Sequence, residues 1–182
     1  EKILTPLFSS KYVLSLTMSR FEDSFNAEFE TALLAFCDEA NLADTHDAAK
    51  IFNKVKNMVT EETFTIRAMR QNAVSRRNYC SFIFASNQAN PMEITPTDRR
   101  FNVAPRQTEK LVISHAEVLL IEDELQLFAG YLHGYPTDIA RVRTILHNEA
   151  RQEMMDRGVN SVDGFFRAVD TGDLEYFLQF IK

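Results

Sequence analysis

A handful of residues in this sequence could act together on a phosphate ester. They are two adjacent carboxylates, one amide and two adjacent cations: Asp38, Glu39, Asn87, Arg99 and Arg100. Adjacent carboxylates can hold a divalent cation and deprotonate a water molecule. An amide can orient that water, and an arginine can stabilise the charge that develops on a transferring phosphoryl group. These residue types therefore suit nucleotide hydrolysis.

Apolar runs that predict strands come directly before the carboxylates and before the amide. Residues 32–42 read "ALLAFCDEANL" and residues 81–87 read "SFIFASN". Continuous apolar runs of this length are typical of central strands in a parallel sheet, buried on both faces. Ligands of open parallel sheets bind at the carboxyl ends of the strands. If the two strands are neighbours, their polar residues will lie side by side at that edge.

Further elements of an α/β core surround these two strands. Residues 11–17 predict another strand, and residues 100–105 predict one more after the arginines. Residues 44–60 predict a helix with Asp44 or Thr45 as its N-cap, because apolar residues recur at helical spacing. The order of elements is typical of an α/β domain.

The second half of the chain has the pattern of helices alone. A first helix is expected to end near Gly130 or Gly134, and a second to run from an N-cap at Thr137 to Gly158. Two short helices follow. The predicted division is into an α/β core and an all-helical C-terminal segment, residues 1–110 and 111–182.

Composition indicates a globular protein that does not cross a membrane. Of the 182 residues, 45% are hydrophobic and 25% are charged. No apolar run approaches the roughly 20 residues of a membrane span, and no signal-peptide pattern opens the chain. Cys37 and Cys80 lie within apolar runs and are expected to be buried thiols, which favours the cytoplasm. The four histidines lack the spacing of zinc ligands.

Positive charge is concentrated in the middle of the chain. The formal net charge is −6, yet residues 50–110 carry eleven Lys or Arg against five Asp or Glu. This basic segment inside an acidic chain is consistent with a phosphate-bearing partner. A solvated surface with chance clustering of cations is the alternative interpretation.

Residues 62–78, "ETFTIRAMRQNAVSRRN", predict a β-hairpin. Phe64 and Ile66 alternate with polar residues, and the turn is expected within residues 69–72. Arg76 and Arg77 follow on the returning strand. The alternative to a functional hairpin is an ordinary surface hairpin with a charged turn.

Three ordered stretches carry a resemblance to a known family. They are "LLAFCDEA", "VTEETFTIRAM" and "NYCSFIFASNQANPMEITPTDRRFNV". Together they resemble the helicase domain of phage and plasmid primase–helicases, a superfamily 3-like branch of the AAA+ ATPases, over about residues 1–110. By this resemblance Asp38-Glu39 corresponds to Walker B and Asn87 to the sensor of motif C. "DRRF" corresponds to the arginine finger, with Arg99 and Arg100 as open alternatives.

The resemblance implies an ATP-dependent replicative DNA helicase with a partial AAA+, P-loop-like core. Asp38 would hold Mg²⁺ through water, Glu39 would activate the attacking water, and Asn87 would sense the γ-phosphate. ATP and Mg²⁺ are the implied cofactors. Single-stranded DNA, the implied partner, would be drawn through a homo-hexameric ring in the bacterial host cytoplasm by hairpins. The hairpin tip that would contact DNA is Arg70, Gln71 and Asn72. A primase domain accompanies the motor in some such proteins, and the present residues do not bear on it.

The sequence departs from the family in one respect. All five glycines follow residue 129, so the chain contains no G-x-x-x-x-G-K-[ST] loop. We expect the chain to be part of a longer protein whose Walker A loop precedes Glu1, and to be inactive by itself. A non-catalytic AAA+-like module that binds DNA or protein is the first alternative. An unrelated nucleotide-hydrolysing motor, such as a loader or a packaging ATPase, is the second.

Overall fold

Strands occupy the first half of the chain, and the second half is helical. The computed structural model describes residues 3–41, 48–88, 91–142, 144–158 and 161–178. The described strands are β1 Val13–Leu16, β2 Leu34–Cys37, β3 Thr63–Ile66, β4 Val74–Arg77 and β5 Ser81–Phe84. The described helices are α1 Leu4–Phe8, α2 Ala48–Thr60, α3 His115–Gly134, α4 Ile139–Val142, α5 Glu149–Gly158, α6 Ser161–Thr171 and α7 Leu174–Leu178.

β1, β2 and β5 form a parallel sheet in the order β1-β2-β5. β2 is the central strand, as its apolar run predicts, with Ala35 and Cys37 buried on one face and Leu34 and Phe36 half-buried on the other. The prediction that β5 is buried on both faces is wrong. Among the described residues β5 pairs with β2 alone, so it is an edge strand, and Ile83 is exposed while Phe82 and Phe84 are half-buried.

Helix α2 covers the sheet with one apolar face. Ile51, Val55 and Met58 recur at spacings of four and three residues, which places them on one side of the helix, and all three are buried. The predicted N-caps of this helix, Asp44 and Thr45, lie outside the described residues. Between β1 and β2 the chain forms two short 3-10 helices, Met18–Phe21 and Ala27–Glu30.

Phenylalanine rings fill the space between the sheet, α2 and the loops. Phe21 lies 6.2 Å from Phe84, and Phe29 lies 6.1 Å from both Phe82 and Phe64, measured between ring centroids. Phe101 is buried 5.9 Å from the ring of Phe52 and extends this cluster. Edge-to-face and offset contacts of this kind add to the stability that burial of the rings provides.

The predicted strand at residues 100–105 is absent, and the segment is irregular. Its apolar residue Phe101 is buried without strand pairing. The backbone carbonyls of Phe101 and Val103 accept hydrogen bonds from the side chains of Arg151 and Asn148, at 2.6 and 2.8 Å. Side chains of the helical segment therefore satisfy the polar backbone that a neighbouring strand would otherwise satisfy.

The prediction of a single helix from Thr137 to Gly158 is wrong in two respects, the number of helices and the N-cap residue. The described chain has two helices here, α4 and α5, with irregular backbone over residues 144–148. The cap of α4 is Asp138, whose carboxylate accepts hydrogen bonds from the backbone N–H groups of Ala140 and Arg141. Asn148 caps α5 by accepting from the N–H of Arg151 at 2.9 Å.

Helix α3 ends at Gly134, one of its two expected ends, and begins with a capping box. The Ser114 side chain accepts from the Glu117 N–H, and the Glu117 carboxylate accepts from the Ser114 N–H, which lowers the pKa of Glu117. Although rich in leucine, α3 buries no residue. Across the described part of the chain, no helix combines the length and apolar character that crossing a membrane requires.

Candidate functional site

The pairing of β2 with β5 continues past the ends of both strands. Phe84 lies opposite Cys37 in the parallel register. Beyond them, the Ala85 N–H donates to the Cys37 carbonyl at 2.9 Å, and the Ala40 N–H donates to the Ala85 carbonyl at 2.8 Å. Two neighbouring backbones held together in this way present their following side chains at one edge of the sheet.

A pocket of about 300 Å³ opens at this carboxyl edge. Its lining consists of Glu39, Asn41, Ser86, Asn87 and Gln88. The sheet therefore brings together the carboxylate and the amide that the sequence singles out. Asp38 is exposed beside them, and its Oδ1 accepts a hydrogen bond from the Glu39 N–H at 2.9 Å.

The backbone at Glu39 has a left-handed conformation, with φ of 51°. Residues other than glycine rarely adopt this conformation, and such positions are enriched where a side chain must be aimed for function. Here the turn lets the chain leave β2 while Ala40 remains bonded to the β5 segment. The consequence is that the Glu39 side chain faces the pocket it shares with Asn87.

The donor groups at this edge fit a hard divalent cation. Carboxylate and amide oxygens are the groups that Mg²⁺ prefers, and Mg²⁺ commonly keeps several water ligands and takes the rest from substrate phosphates. Asp38 and Glu39 supply two carboxylates there. Within the described ranges no cluster of three or more His, Cys, Asp or Glu side chains forms a complete protein-only metal site.

Arg99 and Arg100, adjacent in sequence, have different surroundings. The Arg100 guanidinium lies 3.3 Å from the Asp98 carboxylate and donates through Nε to the Thr60 hydroxyl at 2.9 Å. Asp98 is buried, with 1% of its side chain exposed, and its Oδ1 also accepts the Arg100 N–H at 2.8 Å. The Arg99 side chain is exposed and makes no hydrogen bond or ion pair with the part of the chain that the structure describes.

Both arginines line a second cleft, of about 450 Å³, between the core and the helical segment. The remaining lining residues are Val59, Thr60, Asn102, Val142, Thr144 and Ile145. None of the residues around the Glu39 pocket contributes to this cleft. The structure thus brings Glu39 and Asn87 together and leaves the arginines in a separate cleft of the same chain.

The hairpin predicted at residues 62–78 is confirmed. β3 and β4 pair in antiparallel fashion, with Ile66 opposite Val74, and a seven-residue connection joins them. Arg70, Gln71 and Asn72 are exposed at the tip. Arg70 has φ of 60°, and the Gln71 N–H donates to the Ala68 carbonyl at 3.3 Å, so the tip is a hydrogen-bonded turn.

The base of the hairpin is tied to the core. The Asn26 side chain donates to the Thr65 carbonyl at 3.1 Å and accepts the Arg67 N–H at 2.8 Å. Arg76 pairs with Glu30 at 2.7 Å, and the Arg77 guanidinium lies 5.5 Å from the Tyr79 ring centroid. The tip is therefore presented to solvent from a fixed base, with cations along the returning strand.

The two cysteines are free thiols. Cys37 is the last residue of β2 and is buried, and Cys80 directly precedes β5 and is half-buried. Burial raises the pKa of Cys37 to about 11, with a smaller contribution from the Asp38 carboxylate, and burial raises that of Cys80 to about 12. These groups are neutral near pH 7 and are structural.

Residues 98–103, which carry Arg99 and Arg100, form what we call the arginine loop. Sequence reasoning missed the two residues that hold this loop, Asn148 and Arg151. Arg151 is 1% exposed and donates to the carbonyls of Phe101 and Asp98. In the sequence it is one cation in the charged run "EARQEMMDRG", where an exposed helix face is the ordinary expectation. Only the contact across some fifty residues reveals its role.

A mixed α/β fold with a small parallel sheet, followed by helices, is thus the class that the structure defines. The chain belongs to a protein family described as a family of unknown function, DUF5906, whose model matches residues 1–100.

Comparisons beyond the family point to one phage protein. The chain is 25% identical over 182 residues to the "DNA Primase-polymerase" of Nitratiruptor phage NrS-1, covering 97% of this chain and 25% of that protein. It is also similar to an apo structure of the NrS-1 C-terminal region, with a TM-score of 0.81 and 25% identity. That match covers 98% of this chain and 44% of the other. A second apo structure of that region gives a TM-score of 0.78 at 24% identity, which is a likeness of fold. The chain thus spans about a quarter of the relative's length.

Proposed function

We propose that this chain is part of the motor of a phage DNA replication protein, an ATP-dependent helicase module of the superfamily 3-like type. The observation that carries the proposal is the shared pocket of Glu39 and Asn87 at the carboxyl edge of adjacent parallel strands. The similarity to the phage DNA primase-polymerase supports a role in DNA replication.

The chemistry at the pocket follows from the residues that line it and the carboxylate beside it. Bound Mg²⁺–ATP would supply the phosphoryl group and neutralise its charge. Asp38 would hold the cation through water, Glu39 would accept the proton of the attacking water, and the Asn87 amide would orient that water. The 182 residues contain no G-x-x-x-x-G-K-[ST] loop, so the pocket supplies the metal-binding and water-activating groups and not the phosphate-binding loop.

Arg99 is the better candidate for the arginine finger. It is exposed and unpaired among the described residues, so it can leave its own surface without breaking an ion pair. Arg100 is bound to Asp98 and Thr60, which suits an anchoring role. Because the arginine cleft is separate from the Glu39 pocket, Arg99 would serve the nucleotide of a neighbouring subunit in a homo-hexameric ring.

The hairpin would contact single-stranded DNA. Its tip offers a guanidinium and two amides, which bind phosphate and sugar without reading sequence. None of the tip residues lines the Glu39 pocket, which is compatible with hydrolysis at one place and DNA movement at another.

The test is the ATPase rate of the full-length gene product, with and without single-stranded DNA, beside that of Glu39→Gln. We expect hydrolysis that DNA stimulates, and a loss of about 100-fold or more in kcat in the variant. Glu22→Gln, an exposed carboxylate away from the pocket, is the matched control and should retain the parent rate.

Absence of hydrolysis in a folded full-length protein would refute the motor. The chain would then be a non-catalytic module that binds DNA or protein, with Asp38 and Glu39 acting only in the turn after β2. Hydrolysis that survives Glu39→Gln would instead refute the assignment of the base.

A further inference from the structure

The helical segment holds the arginine loop through one buried cation. Arg151, on α5, is 1% exposed, and its Nη1 donates to the Phe101 carbonyl at 2.6 Å. Its Nη2 donates to the Asp98 carbonyl. One planar guanidinium thus bridges the two ends of a four-residue stretch, Asp98–Phe101, that contains both arginines.

Two further hydrogen bonds join the same segment to residues 98–103. Together with those of Arg151, we call them the clamp. The Asn148 amide donates to the Val103 carbonyl at 2.8 Å, and the Asn102 side chain accepts the Leu146 N–H at 2.7 Å. The residues of the loop have no strand partner among the described residues. Their backbone conformation therefore depends on side chains that arrive from about fifty residues further along the chain.

Burial of a charged side chain against backbone carbonyls calls for an explanation. A buried cation loses its hydration, and its burial is costly unless its donors find acceptors. The two carbonyls supply such acceptors to Arg151. A guanidinium suits this task because its donors lie in one plane with fixed directions. Arg151 contacts backbone atoms on both sides of the arginine pair, so it constrains where Arg99 leaves the chain.

We propose that Arg151 is a positioning residue that fixes the Asp98–Phe101 backbone and thereby holds Arg99 in the orientation from which it acts. The helical segment then contributes to the position of Arg99 in the cleft that it lines. The consequence for catalysis rests on the proposed function; the consequence for loop order does not.

The structural half is tested by hydrogen exchange on the full-length protein. In Arg151→Lys, which keeps the charge but cannot bridge two carbonyls in a plane, the hydrogen-bonded amides within residues 98–103, those of Asp98 and Arg100, should exchange about ten-fold faster. Strand β2 should exchange at the parent rate. Arg157→Lys is the matched control, since Arg157 lies on the same helix, is half-exposed and forms an ion pair with Glu153. Unchanged exchange at 98–103 would overturn the proposal.

The catalytic half is tested by a double-mutant cycle on ATPase activity. Arg151→Lys should lower kcat about ten-fold with little change in the KM for ATP, and should lower it no further in an Arg99→Ala background. A destabilised fold would reduce activity by the same factor in both backgrounds, and that result would overturn the proposal. Arg151→Met serves as the second variant. A thermal melt first establishes that it is folded, and its kcat is then measured in the same two backgrounds.

The two proposals fail differently. If the full-length protein hydrolyses no ATP while Arg151→Lys still loosens residues 98–103, the motor is refuted and the clamp stands as structure. If the full-length protein hydrolyses ATP and Arg151→Lys changes neither hydrogen exchange at residues 98–103 nor kcat, the positioning role of Arg151 is refuted and the proposed motor function stands.

Discussion

At the scale of single residues, Arg99 and Arg100 should separate stability from activity. Arg100 pairs with a carboxylate whose side chain is 1% exposed, so Arg100→Ala leaves that charge buried without its cation. Since Arg100 itself is about a third exposed, we expect a loss of about 1–2 kcal/mol in the free energy of unfolding. Arg99→Ala should change it by less than about 0.5 kcal/mol.

Urea denaturation of the two variants measures this difference. The same proteins, assayed for DNA-stimulated ATPase, should show the larger loss of kcat in Arg99→Ala. Equal stability of the two variants would contradict the anchoring role of Arg100, and an unaffected rate in Arg99→Ala would return the choice of finger to Arg100.

The thiols provide a second prediction at this scale. With pKa values of about 11 and 12, Cys37 and Cys80 are almost wholly protonated at pH 8, and only the thiolate reacts with disulfide reagents. Raising the pH through that range increases the thiolate fraction and therefore the rate. We expect both to react at least about 100-fold more slowly in the folded protein at pH 8 than in denaturant. Fast labelling of the native protein would show that burial is weaker than described.

At the scale of elements, the hairpin should contribute a non-specific electrostatic contact with DNA. Arg70→Ala removes the cation at the tip, where it is exposed and free to meet a phosphate. We expect weaker binding of single-stranded DNA and a salt dependence, d log K against d log [salt], that is shallower by about 0.7. Titrations of a labelled oligonucleotide at several salt concentrations measure both.

Arg157→Ala is the control for the hairpin, because it removes one exposed cation elsewhere and leaves the net charge the same as in Arg70→Ala. An identical change in the two variants would mean that the protein's overall charge, and not the hairpin, governs binding. Binding that is unchanged in Arg70→Ala would remove the tip from the DNA interface.

Local pattern predicts some of these elements well because their own residues carry the pattern, even where, as in β2, the pairing partners are distant in sequence. β2 and the hairpin follow from apolar runs and alternation, and the Glu39–Asn87 pocket follows from the rule that parallel strands present their carboxyl ends together. The segment at 100–105 has the same local appearance as a strand. Its backbone partners are Asn148 and Arg151, 45 and 50 residues away, and no local pattern contains that information.

β5 illustrates a related limit. Its residues are as apolar as those of β2, yet Ile83 is exposed while Phe36, the residue opposite it in β2, is half-buried. Hydrophobicity records what a strand can bury and does not record which neighbour covers it. The same holds for α3, in which four of the five leucines are exposed and Leu125 is half-buried.

At the scale of the whole molecule, the Glu39 pocket and the cleft lined by Arg99 are separate within one chain, and a ring of subunits would bring them together. Glu39 and Asn87 share one pocket and Arg99 lines another, so the proposed base and the proposed finger do not line a common pocket within one copy. In a head-to-tail ring each interface would join the pocket of one subunit to the arginine of the next. The proposed function therefore requires that Glu39 and Arg99 act from different subunits.

Mixing two strongly impaired variants of the full-length protein tests this requirement. In an equimolar mixture of Glu39→Gln and Arg99→Ala subunits, some interfaces join an intact Glu39 to an intact Arg99. If assembly is random, such interfaces make up about a quarter of the total, and about a quarter of the parent ATPase rate should return. If both residues served the nucleotide of their own subunit, each copy would carry one defect and mixing would restore nothing. Arg99→Ala mixed with itself at the same concentration is the control for concentration-driven activity.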